Sequence, residues 1–376
     1  MSLIGWPLMA TSALVAIIAP FLTVFAWKKT NSALRLAMVA ACQILAILAT
    51  GIALNNYGYF YGSWGELVGI APRGEVSTFA STSKVPLDTR ITSTLRPLRT
   101  VSGASAPGAA NSGRMMTVRI SGASTGLTER ALVYLPPQYF QRRYAKTNFP
   151  AVEEFTGYPS APRKLHRLGQ YASALNQQVL LGHAKPMILI ASTPSPLFPR
   201  DTECTDIPGG PQVLQFFAQD VPQAMQSAFR IAPDRWGAMG DSTGGYCATK
   251  LAMNYPTTFN TAVSLSGYYN TLSDSTTGDL WDNSSQIRNN NDLTWRLQHL
   301  PAPPITLLAT MGSLEQGKEG VANLDEFLAQ VKAPMRAYRW IVPGGAHNFQ
   351  TWHGELPRVF NFLSRALYSK PAHPKP

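Results

Sequence analysis

Two uncharged apolar runs open the chain, and short apolar stretches alternating with amphipathic ones fill its second half. The first run, Leu3 to Trp27, is long enough to cross a bilayer as a helix. Lys28, Lys29 and Arg35 cluster behind it, and a second uncharged run extends from about Leu36 to Leu54. The pattern predicts two transmembrane helices joined by a basic hairpin. The positive-inside rule puts that hairpin in the cytoplasm and everything after Leu54 outside. Tyr57, Tyr59, Phe60, Tyr61 and Trp64 suit the outer interface. A signal peptide followed by a buried helix is the competing pattern. It fits less well, because no Lys or Arg precedes the first run and no clear cleavage site follows.

Residues 1–70 are therefore expected to form the anchor. Residues 71–113 are rich in Ser, Thr, Ala, Gly and Pro, and Ser102 to Ala110 approaches low complexity. So little apolar surface does not offset the entropy of ordering, and a tether is expected there. From 114 to 376 the pattern becomes globular. Strands are expected at Met115–Ile120, Arg130–Leu135, Pro150–Phe155, Met187–Ser192, Arg235–Met239, Ala262–Ser266, Ile305–Ala309 and Met335–Val342. Helices are expected at Leu168–Leu181, Gln212–Phe229 (bent or started by Pro222), Gly245–Met253, Leu324–Val331 and Leu356–Ala366. Strands alternating with helices predict an α/β domain, a mainly parallel sheet covered on both faces. Ligand sites in such sheets lie beyond the carboxyl ends of the strands.

Composition narrows the picture slightly. The 376 residues carry a formal charge of +11, spread along the chain without a dense basic run, so no nucleic-acid partner is expected. A mild attraction to anionic surfaces remains. Three cysteines exclude a disulfide-rich scaffold, and no Cys-x-x-Cys pair or His tract suggests a metal. No motif calls for a cofactor. Asn283-Ser284-Ser285 matches a glycosylation sequon, a pattern too short to carry weight alone.

The candidate chemistry centres on Gly240-Asp241-Ser242-Thr243-Gly244, a Gly-x-Ser-x-Gly run between an expected strand and an expected helix. That context places a serine hydroxyl on a sharp turn at the top of the sheet. A simple N-cap serine is the bland alternative. A serine needs a base within hydrogen-bond reach. His347 follows the last strand through Pro343-Gly344-Gly345-Ala346 and is the best placed of six histidines, with His353 behind it. The acid should fall between serine and histidine in chain order. Glu315 comes first after the strand Ile305–Ala309, and Glu319, Asp325 and Asp282 remain open. The oxyanion donors expected are the backbone N–H groups of Thr243 and, from the loop after the third strand, Tyr158. Cys204 and Cys247 fall on the outer side, where a disulfide between them would close a loop of about 44 residues. Cys42 lies in the second apolar run.

Three segments carry a family resemblance: Gly240 to Tyr246, Ser264-Leu265-Ser266-Gly267-Tyr268, and His347-Asn348-Phe349-Gln350-Thr351-Trp352. They resemble the esterase D group of α/β-hydrolases, which includes S-formylglutathione hydrolase and the mycolyltransferases of mycobacterial envelopes. The resemblance spans roughly residues 114 to 368, and the anchor and tether look like those of membrane-anchored actinobacterial members. It implies an α/β-hydrolase fold with Ser242 as nucleophile, His347 as base and Glu315 as acid. It leaves the substrate open, since mycolyltransferases usually carry Leu-Ser-Met where this chain has Asp241-Ser242-Thr243. The expected function is a membrane-anchored, extracytoplasmic serine esterase or acyltransferase acting on an ester or acyl donor. The alternative is a non-catalytic envelope domain that binds a lipid or glycan on the same fold. Oligomeric state is not legible.

Overall fold

The computed structural model describes residues 6–58, 77–78, 90–97, 113–159, 168–315 and 317–369. The chain divides into two compact units, one built on the N-terminal helices and one on Gly74–His347 with Thr351–Pro376.

In the first unit, helices α1 (Trp6–Ala26) and α2 (Ser32–Gly58) coincide with the two apolar runs. Both are long and apolar enough to cross a membrane. Polar side chains on them turn inward to their own backbone: Thr11, Thr23 and Thr50 each donate to a carbonyl four residues earlier. Thr23 Oγ1 also meets Cys42 Sγ at 3.3 Å across the pair.

The second unit is built on a ten-stranded sheet. Its strands are β1 (Ser77–Thr78), β2 (Arg90–Pro97), β3 (Arg114–Ser121), β4 (Thr128–Leu135), β5 (Phe149–Phe155), β6 (Ile188–Ser192), β7 (Ile231–Asp241), β8 (Phe259–Leu265), β9 (Thr306–Gly312) and β10 (Arg336–Val342). The order is β1-β2-β3-β4-β6-β5-β7-β8-β9-β10. Pairing is antiparallel from β1 through β4 to β6 and parallel from β6 onward. Helices are α3 (Leu168–Leu180), α4 (Val221–Ala228), α5 (Thr243–Asn254), α6 (Ser285–Asn291), α7 (Leu293–His299), α8 (Val321–Leu328) and α9 (Phe349–Tyr368). The expected mainly parallel α/β sheet is the observed one.

Several elements depart from the expectation in instructive ways. β1 and β2 fall inside the stretch expected to be a tether, and β2 pairs with β3 along its whole length. Averaging composition over 71–113 hid the β-branched Ile91, Thr92 and Thr94 within a small-residue region. The remainder of that stretch lies outside the described residues. The expected helix 212–229 contains a π-helical turn, Phe216–Asp220, immediately before Pro222 at the start of α4. A proline ring clashes with the carbonyl four residues back, and widening the turn relieves that clash. The last helix starts at Phe349, earlier than expected, and keeps Pro357 inside it.

β5 and β7 sit in the middle of the sheet, and β5 is buried at every position. The main core packs Phe155, Phe216, Phe217, Trp236, Tyr246 and Phe259, among others, between the sheet and α5. α5 is buried from Thr243 to Met253, so the segment after Ser242 is pinned over the sheet centre.

Candidate active site

β7 ends at Asp241, and Ser242 turns the chain into α5 with φ 54° and ψ −124°. That conformation is strained for a residue with a Cβ, at a cost of about 1–3 kcal/mol. Its surroundings hold it there. The Ser242 N–H donates to the Leu265 carbonyl at 2.9 Å. A Cβ on Gly240 or Gly244 would collide with backbone atoms of Gly244 or Phe155 respectively, so only glycine lets the turn approach its neighbours this closely.

The other candidates arrive from the carboxyl ends of neighbouring strands. His347 follows β10 through a loop tied down at several points. Gly344 N–H donates to Ser313 Oγ at 2.8 Å, and Ala346 N–H to Thr351 Oγ1 at 3.0 Å. Glu315 follows β9 and is buried, whereas the His347 side chain is about half exposed. His347 Nε2 lies 3.0 Å from Ser242 Oγ, and its Nδ1 lies 2.8 Å from Glu315 Oε2. With the Nδ1 proton facing the carboxylate, Nε2 is left to accept from the serine hydroxyl. Burial works against the charged imidazole. The Glu315 hydrogen bond and charge, helped by Asp241 and Glu319, outweigh it and hold His347 above its ordinary value.

Glu315 is oriented by groups that the linear pattern did not single out as partners. Its Oε1 accepts from Ser266 Oγ at 2.6 Å and from the Gly312 N–H at 2.7 Å. Ser266 Oγ in turn accepts from the Trp352 indole at 2.8 Å. The Trp352 ring also stands edge-on to His347, centroids 5.1 Å apart. Ser266 and Trp352 lie in two of the segments that carried the resemblance, but only the folded chain gives them a task. Of the competing residues, His353 lies within α9 and His347 makes the contact to Ser242. Glu319 acts on His347 only through its charge, and Asp325 pairs with Arg339 at 2.6 Å. Asp282 occupies a left-handed turn at φ 52°.

Thr243 opens α5, so its N–H belongs to the group that finds no intrahelical acceptor. The loop after β5 comes up beside it. The Gly157 N–H donates to Asp241 Oδ2 at 3.0 Å, and a Cβ on Gly157 would stand 2.9 Å from the Ser242 Cβ. This brings the following residue, Tyr158, alongside the turn, and the Tyr158 hydroxyl donates to Pro199 O at 2.6 Å. Asp241 thus ties the loop to the turn, a role its place inside the pentapeptide did not announce.

Cys204 and Cys247 form a disulfide, with Cα atoms 5.6 Å apart. It joins the loop after β6 to α5. Beneath it lies a buried polar cluster absent from the sequence reading. Tyr268 donates to Glu203 Oε1 at 2.7 Å, and Lys250 Nζ to the Glu203 carbonyl at 3.1 Å and Thr205 Oγ1 at 2.8 Å. Burial pushes Glu203 up to about 8 and Lys250 down to about 7. Among the described residues no group of His, Cys, Asp or Glu is arranged to hold a metal ion.

The Esterase family model matches residues 122–363. No curated protein matches the chain in sequence. Among solved structures, an S-formylglutathione hydrolase from Agrobacterium tumefaciens is 13% identical. It superposes with a TM-score of 0.58 over 71% of this chain and 99% of its own. A ferulic acid esterase, 15% identical, covers 68% of this chain and 98% of its own at a TM-score of 0.54. The fluorophosphonate-binding serine hydrolase FphF of Staphylococcus aureus, also 15% identical, covers 67% and 98% at 0.53. At these identities the likeness is one of fold. The family match covers well over half of the 376 residues, and the chain therefore belongs to the Esterase family, a serine ester hydrolase on an α/β-hydrolase fold.

Proposed function

We propose that the chain is a membrane-anchored acyl-transferring esterase that works through an acyl-enzyme on Ser242. The observation that carries this reading is the hydrogen-bond chain from Ser242 Oγ through His347 to Glu315. Ser242 Oγ attacks the ester carbonyl carbon while His347 Nε2 takes its proton. Glu315 stabilises the imidazolium and keeps the ring in the productive tautomer. The carbonyl oxygen becomes an oxyanion held by the N–H groups of Thr243 and Tyr158, each donor being worth about 2.7–4 kcal/mol in the transition state. The C–O bond then breaks, and the alcohol departs with the proton from His347. Water or a second alcohol, deprotonated by the same imidazole, attacks the acyl-Ser242 carbonyl and restores the serine. Water gives hydrolysis, and a hydroxyl-bearing acceptor gives transfer.

The two apolar helices and the basic hairpin between them support an anchor with the catalytic unit on the outer face of the membrane. Ester-bearing envelope lipids are then the substrates within reach. A purely binding role has no observation in its favour. The test uses full chain in neutral detergent with p-nitrophenyl acetate. A burst of p-nitrophenol equal to the enzyme, followed by turnover, is expected. Added glycerol should divert part of the acyl group into acylglycerol. A folded protein that gives neither burst nor turnover contradicts the reading.

A further inference from the structure

A groove of about 520 Å³ opens between the last two strands and α9. Thr306 and Arg336, which pair at the start of β9 and β10, lie in it. It therefore reaches toward the amino ends of these strands, whereas Glu315 and His347 follow their carboxyl ends. Two periodicities build its walls. Arg336, Tyr338 and Trp340 recur every second residue on one face of the edge strand β10. Arg358, Phe362 and Arg365 recur along one stripe of α9.

Four arginines line the groove, and no carboxylate does. Two of them are already compensated. Arg339 binds Asp325 through both nitrogens of its fork, at 2.6 and 3.0 Å. Arg358 pairs with Glu355 at 3.2 Å, and its guanidinium carbon stands over the Trp340 ring, 3.5 Å from the centroid. Arg336 and Arg365 have no carboxylate partner among the described residues. Beside them Tyr338 is 53% exposed and meets Phe362 edge-on at 5.9 Å. Like charges gathered on a concave, partly apolar wall repel one another and focus a field that draws an anion.

The two open charges call for a dianion, and a guanidinium fork matches phosphate oxygens in pairs. A phosphate monoester carries about −1.5 to −2 at neutral pH, and a carboxylate carries only one charge. The exposed Tyr338 ring, with the half-buried Phe362 against it, offers a surface for the organic part of such a ligand. The volume is that of a small-molecule site, typically about 300–1,000 Å³. We propose that this groove binds the phosphomonoester of a small polyol, free or as a lipid headgroup, with Arg336 and Arg365 on the phosphate and Tyr338 and Phe362 against the carbon skeleton. The site is remote from the proposed chemistry and stands or falls independently of it.

Calorimetry on the full chain in neutral detergent, titrated with glycerol 1-phosphate, tests this. Saturable one-to-one binding is expected, weakening with added NaCl, with no heat from glycerol. Arg336→Ala/Arg365→Ala should weaken it at least about tenfold, whereas Arg339→Ala, whose charge is already paired, should change it less than about threefold. The double variant should keep its melting temperature and its p-nitrophenyl acetate turnover, which separates loss of the groove from loss of the fold. A second arm adds phosphatidic acid to the micelles. If the headgroup is the natural source, it will block the glycerol 1-phosphate titration; if the free ester is, the titration will persist. Absence of glycerol 1-phosphate binding in phosphatidic-acid-free micelles, undiminished binding by the double variant, or equal damage from Arg339→Ala would overturn the proposal.

Discussion

Ser242 occupies a backbone conformation that glycine prefers, with its hydroxyl 3.0 Å from the His347 Nε2. Strain of this kind persists only where the neighbours over-determine it, and here they do, through the Leu265 carbonyl and two glycines with no room for a Cβ. If the proposed mechanism holds, Ser242→Ala or His347→Ala lowers kcat by roughly 10⁴–10⁶, read from ester turnover. The base must be neutral to accept the serine proton. Because His347 is held above its usual 6.5, kcat/KM should fall as pH drops through a midpoint above 6.5. Glu315→Gln removes the interactions that raise it, so the same profile should shift to lower pH as activity drops. A midpoint unmoved by Glu315→Gln would detach Glu315 from His347. Ser242 and His347 were legible because a strand-turn-helix serine demands partners from later strand ends, whereas the choice of Glu315 over Glu319, Asp325 and Asp282 stayed open until the fold set its carboxylate 2.8 Å from His347 Nδ1. The strained turn at Ser242 was legible in the pentapeptide as well, whereas the left-handed φ of Ser266 was not, since nothing in its neighbours along the chain announces a conformation that tertiary packing imposes.

At the scale of elements, the site is a meeting of strand ends held by cross-links between loops. Ser266, after β8, donates to Glu315, after β9, and accepts from Trp352 in α9. Loss of a hydrogen bond to a charged group costs about 1.5–3 kcal/mol. Ser266→Ala should therefore lower kcat by roughly 10-fold to 100-fold, with KM changing little. An unchanged kcat would assign Ser266 to packing alone. The Cys204–Cys247 bridge fastens the loop after β6 to the serine's own helix across 43 residues of chain. Opening such a loop costs about 4 kcal/mol in the chain-entropy model. Cys204→Ser/Cys247→Ser should lower the denaturation midpoint accordingly, and the native, non-reduced chain should show no alkylatable thiol at either position. Pattern reading located most of the parallel strands because they are apolar runs of ordinary length. It passed over β2, which is rich in Ser and Thr, and although it expected the strand at β5 it gave no sign that Glu153 and Glu154 are both buried there at the sheet centre.

For the whole molecule, buried acids set the response to pH. Burial pushes Glu129 up to about 7, Glu203 to about 8 and Glu153 well above its ordinary 4.5. Each holds a proton in the folded state that it would release when unfolded. Their contribution is therefore complete below about 4.5 and is lost as pH rises through the folded values. Lys250, pushed down to about 7, acts in the opposite sense only above that pH, as the unfolded lysine still holds its proton. Stability by urea denaturation should thus decrease from pH 5 to pH 7, and the slope should flatten in Glu203→Gln. A flat or rising profile across that interval would contradict the raised values of these carboxyls. The arginine groove belongs to this scale too, because its charges come from a strand and a helix that meet only in the folded unit.

The central claim is that Ser242 is a nucleophile activated by His347. Treating the full chain with a fluorophosphonate and locating the adduct by peptide mass tests it most directly. The account predicts one adduct per chain on Ser242, absent in Ser242→Ala and strongly slowed in His347→Ala. Labelling on another residue, or none on folded wild type, would contradict it.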